Sequence, residues 1–393
     1  MKTLLRMQNR KIHKHLRRFN VSNPNINFHD PVQQLARIPY PDKTLYGGRA
    51  ITNQCTVKSI KKLTYDTCEL VIKAEEGSQP IARSAGQYAI LKVDSIEKPR
   101  AYSFARSPKC EDAGEYSFFI RQVPGGQFSS WLFDTDRSGQ PITVQGPLGK
   151  FGVDPSDLQM VCIAGGSGMS AIFALLEDSC FRQIQRNVLF LYGARAQKDL
   201  YCLEEIKALH EKWHSDYQFE FVPVLSEEPE DSDWQGARGM VTDYLKKNYL
   251  DAGKVSLAEA KAYFCGPPPM IDAGIVVLTD LGMSTNDIYY DKFEDIRSPV
   301  PVVDNATCVL CDECLFVCPI PKCIIEASDL RQDGDGMVYE EVDPYKTSGL
   351  YYNTLYIDPK QCIRCYACVD ACPAGAIDPK NPTIPQTIRR INN

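Results

Sequence analysis

At 393 residues the chain is too long for one ordinary hydrophobic core, and it suits several domains. Its net charge of −6 is mildly acidic, and no stretch approaches the roughly 20 apolar residues needed to cross a bilayer. Nucleic-acid motifs, serine or cysteine triads and paired catalytic carboxylates are not evident, and the basic N-terminus lacks the apolar run and small-residue cleavage site of a secretory signal. The expected location is the cytoplasm.

Residues 1–50 differ from the rest. Seven Lys or Arg fall in the first twenty positions, and no acid precedes Asp30. The segment reads as a solvated basic tail, as a docking arm for an acidic partner or as a transit peptide. From 51 to 152 the pattern turns to strands, with Gln54–Ile60, Thr67–Lys73, Tyr88–Val93, Tyr116–Gln122 and Ile142–Gln145 separated by Gly, Pro and charged turns. This predicts a small antiparallel β-barrel. From 153 to 297 apolar runs at Met160–Ala164, Val188–Tyr192, Phe219–Leu225 and Ala262–Cys265 are each followed by a plausible helix, the pattern of an α/β domain with an open parallel sheet. A Pro- and Val-rich linker near Ser298–Val303 leads into a cysteine-dense tail, residues 298–393, expected to be a small α+β domain.

Nine of the sixteen cysteines lie between Cys308 and Cys372. In a long chain without a secretory signal, such clustering points to metal rather than to disulfides. Cys308-x2-Cys311-x2-Cys314-x3-Cys318-Pro319 is followed by Cys362-x2-Cys365-x2-Cys368-x3-Cys372-Pro373. The duplicated run resembles the bacterial two-cluster ferredoxins, in which the fourth cysteine of each run ligates the other cluster. The resemblance implies that Cys308, Cys311, Cys314 and Cys372 hold one [4Fe–4S] cluster and that Cys362, Cys365, Cys368 and Cys318 hold a second. Cys323 is left over. The span Pro319–Gln361 is longer than in the shortest ferredoxins and predicts an added loop or hairpin.

Two further groups of motifs carry chemistry. Arg100-Ala-Tyr102-Ser103, Gly125-Gly126-Gln127-Phe128-Ser129 and Gly146-Pro-Leu-Gly149 lie in the barrel segment. A flavin pyrophosphate needs an arginine and free backbone N–H groups at a helix N-terminus, and the flavin ring needs an aromatic face and a nearby hydroxyl. Cys162-Ile-Ala-Gly165-Gly166-Ser167-Gly168 follows an apolar run and precedes a helix-like stretch, a placement that lets amides receive a pyrophosphate. Leu191-Tyr-Gly-Ala-Arg195, Trp234-Gln-Gly236 with Gly239, and Phe264-Cys265-Gly266-Pro267-Pro268-Pro269-Met270 accompany it.

In this order the motifs, from about 53 to 295, resemble the ferredoxin–NADP reductase superfamily, in particular the reductase components of bacterial multicomponent oxygenases. The resemblance implies FAD and NADH or NADPH as cofactors. It implies that Arg100 holds the flavin pyrophosphate, that Tyr102 stacks on the ring and that Ser103 faces its reactive nitrogen. Gly126, Phe128 and Ser129 would bind the FAD phosphates or ribityl chain. Gly165, Gly166, Ser167 and Gly168 would bind the dinucleotide, and Cys265, Gly266 and Pro267 would border the nicotinamide. Phe293, in Tyr290-Asp-Lys-Phe293, would pack beside the flavin, with Asp291 standing where Glu is commoner. Two departures stand out. The family's Pro after the Gly-rich loop is replaced near Ser170-Ala171, and no C-x4-C-x2-C run of a plant-type [2Fe–2S] domain exists.

The expected function is electron transfer from NAD(P)H through FAD and two clusters to a protein acceptor, an oxygenase or hydroxylase component. The alternative is an electron-transfer subunit of an anaerobic or reversible redox complex. Arg195 is followed by Asp199, which would repel a 2′-phosphate, so NADH is expected over NADPH. Catalysis is expected to rest on Ser103, Cys265 and Phe293.

Overall fold

The computed structural model describes residues 50–293, 299–304, 307–326, 330–333, 336–339 and 355–378. The expected N-terminal arm lies outside the described residues except for Ala50.

Strands β1 (Ile51–Lys62), β2 (Thr67–Ala74), β3 (Tyr88–Lys92), β4 (Arg100–Ser103) and β5 (Glu115–Arg121), helix α1 (Gln127–Asp134) and strand β6 (Pro141–Leu148) form the first domain. All six strands join one antiparallel sheet in the order β4-β3-β6-β1-β2-β5. The two edges meet just past β4, where Phe104 bridges Phe118 and Ala105 N–H donates to Ser117 O at 2.8 Å. The sheet therefore curls into a near-barrel and hides its edge groups. Leu70, Ile72, Leu91, Phe104, Phe118, Ile120 and Val144 fill its interior. The short helix α1 interrupts the strand pattern and turns Phe128 and Leu132, one turn apart, into that core.

The second domain runs through β7 (Gln159–Gly165), α2 (Met169–Phe181), β8 (Val188–Ala194), α3 (Leu203–Lys212), β9 (Phe219–Leu225), β10 (Ala237–Arg238), α4 (Val241–Leu245), β11 (Ala260–Gly266), α5 (Pro268–Asp280) and β12 (Ile288–Lys292). Its strands are all parallel, in the order β10-β9-β8-β7-β11-β12. Strands β7 and β11 are buried along nearly their whole length, which explains their unbroken apolar runs. Helix α2 is apolar nearly all round because it is covered on both sides. Its Ile172, Phe173 and Leu175 share one core with Ala85, Ala105, Phe119 and Phe151 of the first domain. The chain reverses direction across the sheet between β7 and β11, and the crevice at their C-terminal ends is where such sheets take ligands.

The cysteine-rich tail contains β13 (Val302–Val303), α6 (Glu313–Val317), β14 (Ile324–Glu326), β15 (Leu330–Asp333), β16 (Gly336–Tyr339), β17 (Leu355–Ile357), α7 (Ala367–Ala371) and β18 (Ile377–Asp378). Antiparallel pairs β13–β18 and β14–β17 tie its two halves together, and β15 pairs with β16 inside the long span between the cysteine runs. The halves repeat in detail. Leu310 and Asp312 take left-handed backbone conformations (φ 52° and 63°), and so do Arg364 and Tyr366 (φ 58° and 55°), each at the same offset from the first cysteine of its run. Non-glycine residues adopt this conformation at a cost, and its recurrence marks two copies of one tight loop.

Candidate functional site

Three elements from two domains meet at the crevice. Asp291 on β12 lies directly beside Cys265 on β11 in the parallel register. Ser103, at the end of β4, reaches across from the barrel, and its hydroxyl donates to Asp291 Oδ2 at 2.9 Å. The Cys265 thiol faces the same oxygen at 3.8 Å. Both Ser103 and Cys265 are buried. Burial, and then the neighbouring Asp291 carboxylate, push the Cys265 thiol far above its ordinary pKa, so it stays protonated. The junction thus holds a hydroxyl and a neutral thiol organised by one carboxylate. Phe293 is partly buried against the shared core, and its N–H donates to Gly266 O at 3.0 Å.

The two glycine motifs interlock. A Cβ on Gly168 would lie 2.0 Å from the Cys265 carbonyl oxygen, and one on Gly266 (φ +144°) would lie 2.8 Å from Gly165 O. The Gly-rich turn therefore sits against the end of β11 with no room for a side chain, and it delivers the N-terminus of α2 to the crevice without a side-chain cap. Uncapped N–H groups in a glycine cradle fit a dinucleotide phosphate. The Ser170 hydroxyl donates back to Ser167 O at 3.0 Å and closes the loop.

On the barrel side, Tyr102 packs on Phe128 with ring centroids 5.3 Å apart, and burial raises its phenol pKa. The Arg100 guanidinium donates to the Lys98 and Pro99 carbonyls at 3.2 and 3.0 Å. Gly126 starts α1 without a side-chain cap. Phe128 is in the barrel core, while the Ser129 hydroxyl accepts from Val123 N–H at 3.0 Å. Of these positions, Gly126 and the first turn of α1 offer backbone donors suited to a phosphate, whereas Phe128 and Ser129 shape the turn from inside.

At the end of β8, Tyr65, Arg195, Lys198, Asp199, Glu227 and Glu228 line a further hollow. Arg195 Nη2 bonds Asp199 Oδ1 at 3.0 Å and the Tyr65 hydroxyl at 2.7 Å, with Asp66 at 3.6 Å. Lys198 Nζ lies over the Tyr65 ring at 5.0 Å.

In the tail, Cys308, Cys311, Cys314 and Cys372 line one small cavity with Val309, Leu355 and Ile377. Cys318 and Cys362 flank Cys323. Burial first, and the neighbouring Cys318 and Cys362 after it, push the Cys365 thiol up to about 12, and Cys368 senses the same neighbours. Backbone N–H groups point at sulfur in both runs, from Leu310 to Cys308 at 3.5 Å and from Arg364 to Cys362 at 3.4 Å. Four thiols around a largely apolar cavity, with amides aimed at sulfur, fit a thiolate-ligated cubane.

The comparisons with known proteins agree with this layout. Residues 54–152 match the oxidoreductase FAD-binding domain, 162–274 the oxidoreductase NAD-binding domain and 355–378 a 4Fe-4S binding domain. The xylene/toluene monooxygenase electron transfer component of Pseudomonas putida is 41% identical over 243 residues, 62% of this chain and 66% of that protein. The propane 2-monooxygenase reductase component of Mycolicibacterium goodii is 35% identical over 260 residues, 65% of this chain and 71% of that protein. The chain belongs to the ferredoxin reductase family. Among solved structures, the reductase resembles the ferredoxin reductase in carbazole 1,9a-dioxygenase (28% identity, TM-score 0.54, 62% of this chain and 70% of that one). It also resembles an Amycolatopsis cytochrome P450 reductase (30% identity, TM-score 0.55, the same coverages). It spans about two thirds of the length of the two curated relatives. The reductase is an NAD(P)H-dependent flavoprotein oxidoreductase with an iron–sulfur module, and among its described residues no helix is long and apolar enough to cross a membrane.

Sequence reasoning noted Asp291 but did not place it among the expected catalytic residues. Only the β11–β12 register puts it between Ser103 and Cys265. Tyr88 was missed altogether. It is buried, its Cα partner across the β3–β4 pair is Ser103, and its hydroxyl donates to the Cys365 carbonyl at 2.9 Å. In sequence it reads as an ordinary strand aromatic.

Proposed function

We propose that this chain is the reductase component of a multicomponent oxygenase, drawing electrons from NADH and delivering them through FAD and two [4Fe–4S] clusters to an oxygenase or hydroxylase component in the cytoplasm. The observation that carries the reading is the Ser103–Asp291–Cys265 junction, in a chain that also holds two matching cysteine loops. The flavin, when bound, takes the two electrons of a hydride together and releases them one at a time. The protein's own contribution is to bring the barrel and sheet faces together, exclude water from the junction, and keep the Ser103 hydroxyl donating to the Asp291 carboxylate. The purified protein is expected to carry one FAD and about eight irons per chain, the content of two cubane clusters. Anaerobic metal analysis finding zinc or about four irons would defeat the two-cluster count.

A second reading rests on the bacterial-type cysteine runs and on the lack of any C-x4-C-x2-C run. It makes the chain a subunit of a reversible, low-potential complex. Rapid mixing with NADH separates the two. The oxygenase reading expects flavin bleaching followed by at least partial cluster reduction. Bleaching with both clusters left oxidised, together with NAD⁺ reduction by a reduced ferredoxin, would establish the second reading instead.

The hollow at the end of β8 supports NADH as the coenzyme. Two cations, Arg195 and Lys198, face three acids, Asp199, Glu227 and Glu228, and Arg195 is already committed to Asp199. A 2′-phosphate entering here would meet a surplus of negative charge. The expected kcat/KM preference for NADH is about tenfold or more, equivalent to ~1.4 kcal/mol, with Asp199→Ala narrowing the gap. Steady-state kinetics with ferricyanide as acceptor decides the point, and a clear NADPH advantage refutes it.

A further inference from the structure

We propose that Tyr88 is the junction through which electrons enter the iron–sulfur module, so that the cluster held by Cys318, Cys362, Cys365 and Cys368 is filled first and the cluster held by Cys308, Cys311, Cys314 and Cys372 delivers electrons outward. The inference rests on the two-cluster reading above and adds the order of the clusters and the residue that sets it.

Among the described residues, the barrel meets the tail beside one cysteine set. Tyr88 is the cross-strand partner of Ser103, and its hydroxyl holds the carbonyl of Cys365 at 2.9 Å. Around it, Tyr88, Ile90 and Leu148 of the barrel form one apolar cluster with Ala367, flanked by Val317 and Cys365. Val317 immediately precedes Cys318, and Ala367 immediately precedes Cys368. Three of the four ligands of this set thus touch the barrel or adjoin a residue that does. The Tyr88 ring lies close against Gly149, where an added Cβ would come within 2.8 Å of it. The other cysteine set opens elsewhere. Its cavity is lined by tail residues alone, and Val309 on its wall is 44% exposed. Electron tunnelling slows exponentially with distance, so the set packed on the flavin-side strand is favoured as the entry, and the set with an exposed wall as the exit.

The stoichiometry closes on this order. One hydride taken from NADH leaves NAD⁺ and supplies two electrons and one proton. One electron placed on each oxidised cluster accounts for both, and the proton is released to solvent.

The test uses the full-length holoprotein, loaded anaerobically, with iron content and EPR as readouts. Dithionite first establishes how many clusters each variant holds. In Cys311→Ser the remaining cluster should be reduced by NADH as fast as in the parent protein. In Cys365→Ser the remaining cluster should respond to dithionite, while its reduction by NADH, followed by freeze-quench EPR, slows 100-fold or more. The reverse pattern, or equal rates in the two variants, overturns the order. Should either cysteine variant lose both clusters, Tyr88→Phe still decides, since it keeps every ligand and the ring but removes the bond to Cys365. An EPR-monitored redox titration should then show one cluster's midpoint potential shifted and the other's unchanged, with NADH-driven reduction slowed at least threefold. If neither potential nor rate moves, Tyr88 is not the junction. A parent protein with only about four irons would instead mark failure of the two-cluster reading on which the order depends.

Discussion

Replacing Gly168 with alanine should cripple the use of NADH while leaving FAD in place. The new methyl group would fall 2.0 Å from the Cys265 carbonyl oxygen, 2.3 Å from its carbon and 2.7 Å from Gly266 N. All three are backbone atoms at the end of a strand buried along nearly its whole length, so none can swing aside as a side chain would. The helix α2 must lift away from β11, taking with it the uncapped amides proposed to receive the coenzyme phosphates. Overpacking of this kind costs about 1–3 kcal/mol. If the loss falls on coenzyme binding, the KM for NADH rises about 10- to 100-fold, at ~1.4 kcal/mol per tenfold. Gly152→Ala is the control, because a Cβ there meets nothing closer than Ala85 O at 3.9 Å. Steady-state kinetics with ferricyanide and a thermal melt check both. An unchanged KM in Gly168→Ala would mean that the loop does not hold the dinucleotide.

Removing the carboxylate of Asp291 should slow flavin reduction about 10²-fold or more, in the range that positioned proton-handling groups supply. Asp291 is the shared acceptor of Ser103 at 2.9 Å and Cys265 at 3.8 Å, so its loss frees both donors inside a buried junction. In Asp291→Ala the Ser103 hydroxyl turns to whatever acceptor it finds, and the geometry offered to the reacting atoms is lost. Ser103→Ala should produce a similar loss, and the double variant little more, because groups that act as one unit do not add. The readout is the rate of flavin bleaching after anaerobic mixing with NADH, at NADH concentrations that saturate the parent protein. Full additivity of the two single losses would show that Ser103 and Asp291 act separately. A parent-like rate in Asp291→Ala would remove the carboxylate from the mechanism.

The three-part architecture was legible because its signals are local. Long runs such as Phe219–Leu225 read as buried strands, and the cysteine spacing encodes a tight loop within a dozen residues. The elements absent from the expected strands and helices lack such signals. Strand β4 has four residues and alternates no apolar positions, and β12 carries Tyr289, Tyr290, Asp291 and Lys292 with a single aliphatic residue. Helix α1 is only eight residues long and sits within strand-like sequence. Asp291 and Tyr88 matter through pairings that span 188 and 277 residues, to Ser103 and Cys365. No window along the chain contains both members of either pair. The motif residues that were legible are also not equal in role. Phe128 and Ser129 support the turn from within, whereas Gly168 and Gly266 work by having no side chain at all.

The barrel and the parallel sheet are fused through a common core in which Phe119 and Phe151 pack with Phe173 and Leu175. Among the described residues, the seat of the iron–sulfur module on the barrel is smaller and centres on Tyr88, Ile90 and Leu148. So modest a footprint behaves as a socket. Any small redox domain that offers a carbonyl to the Tyr88 hydroxyl and apolar side chains to Ile90 and Leu148 meets the main demands of the fit. The flavin half can then stay fixed while the outgoing half is exchanged, and a graft between reductases has to match at least this tyrosine and its two aliphatic neighbours.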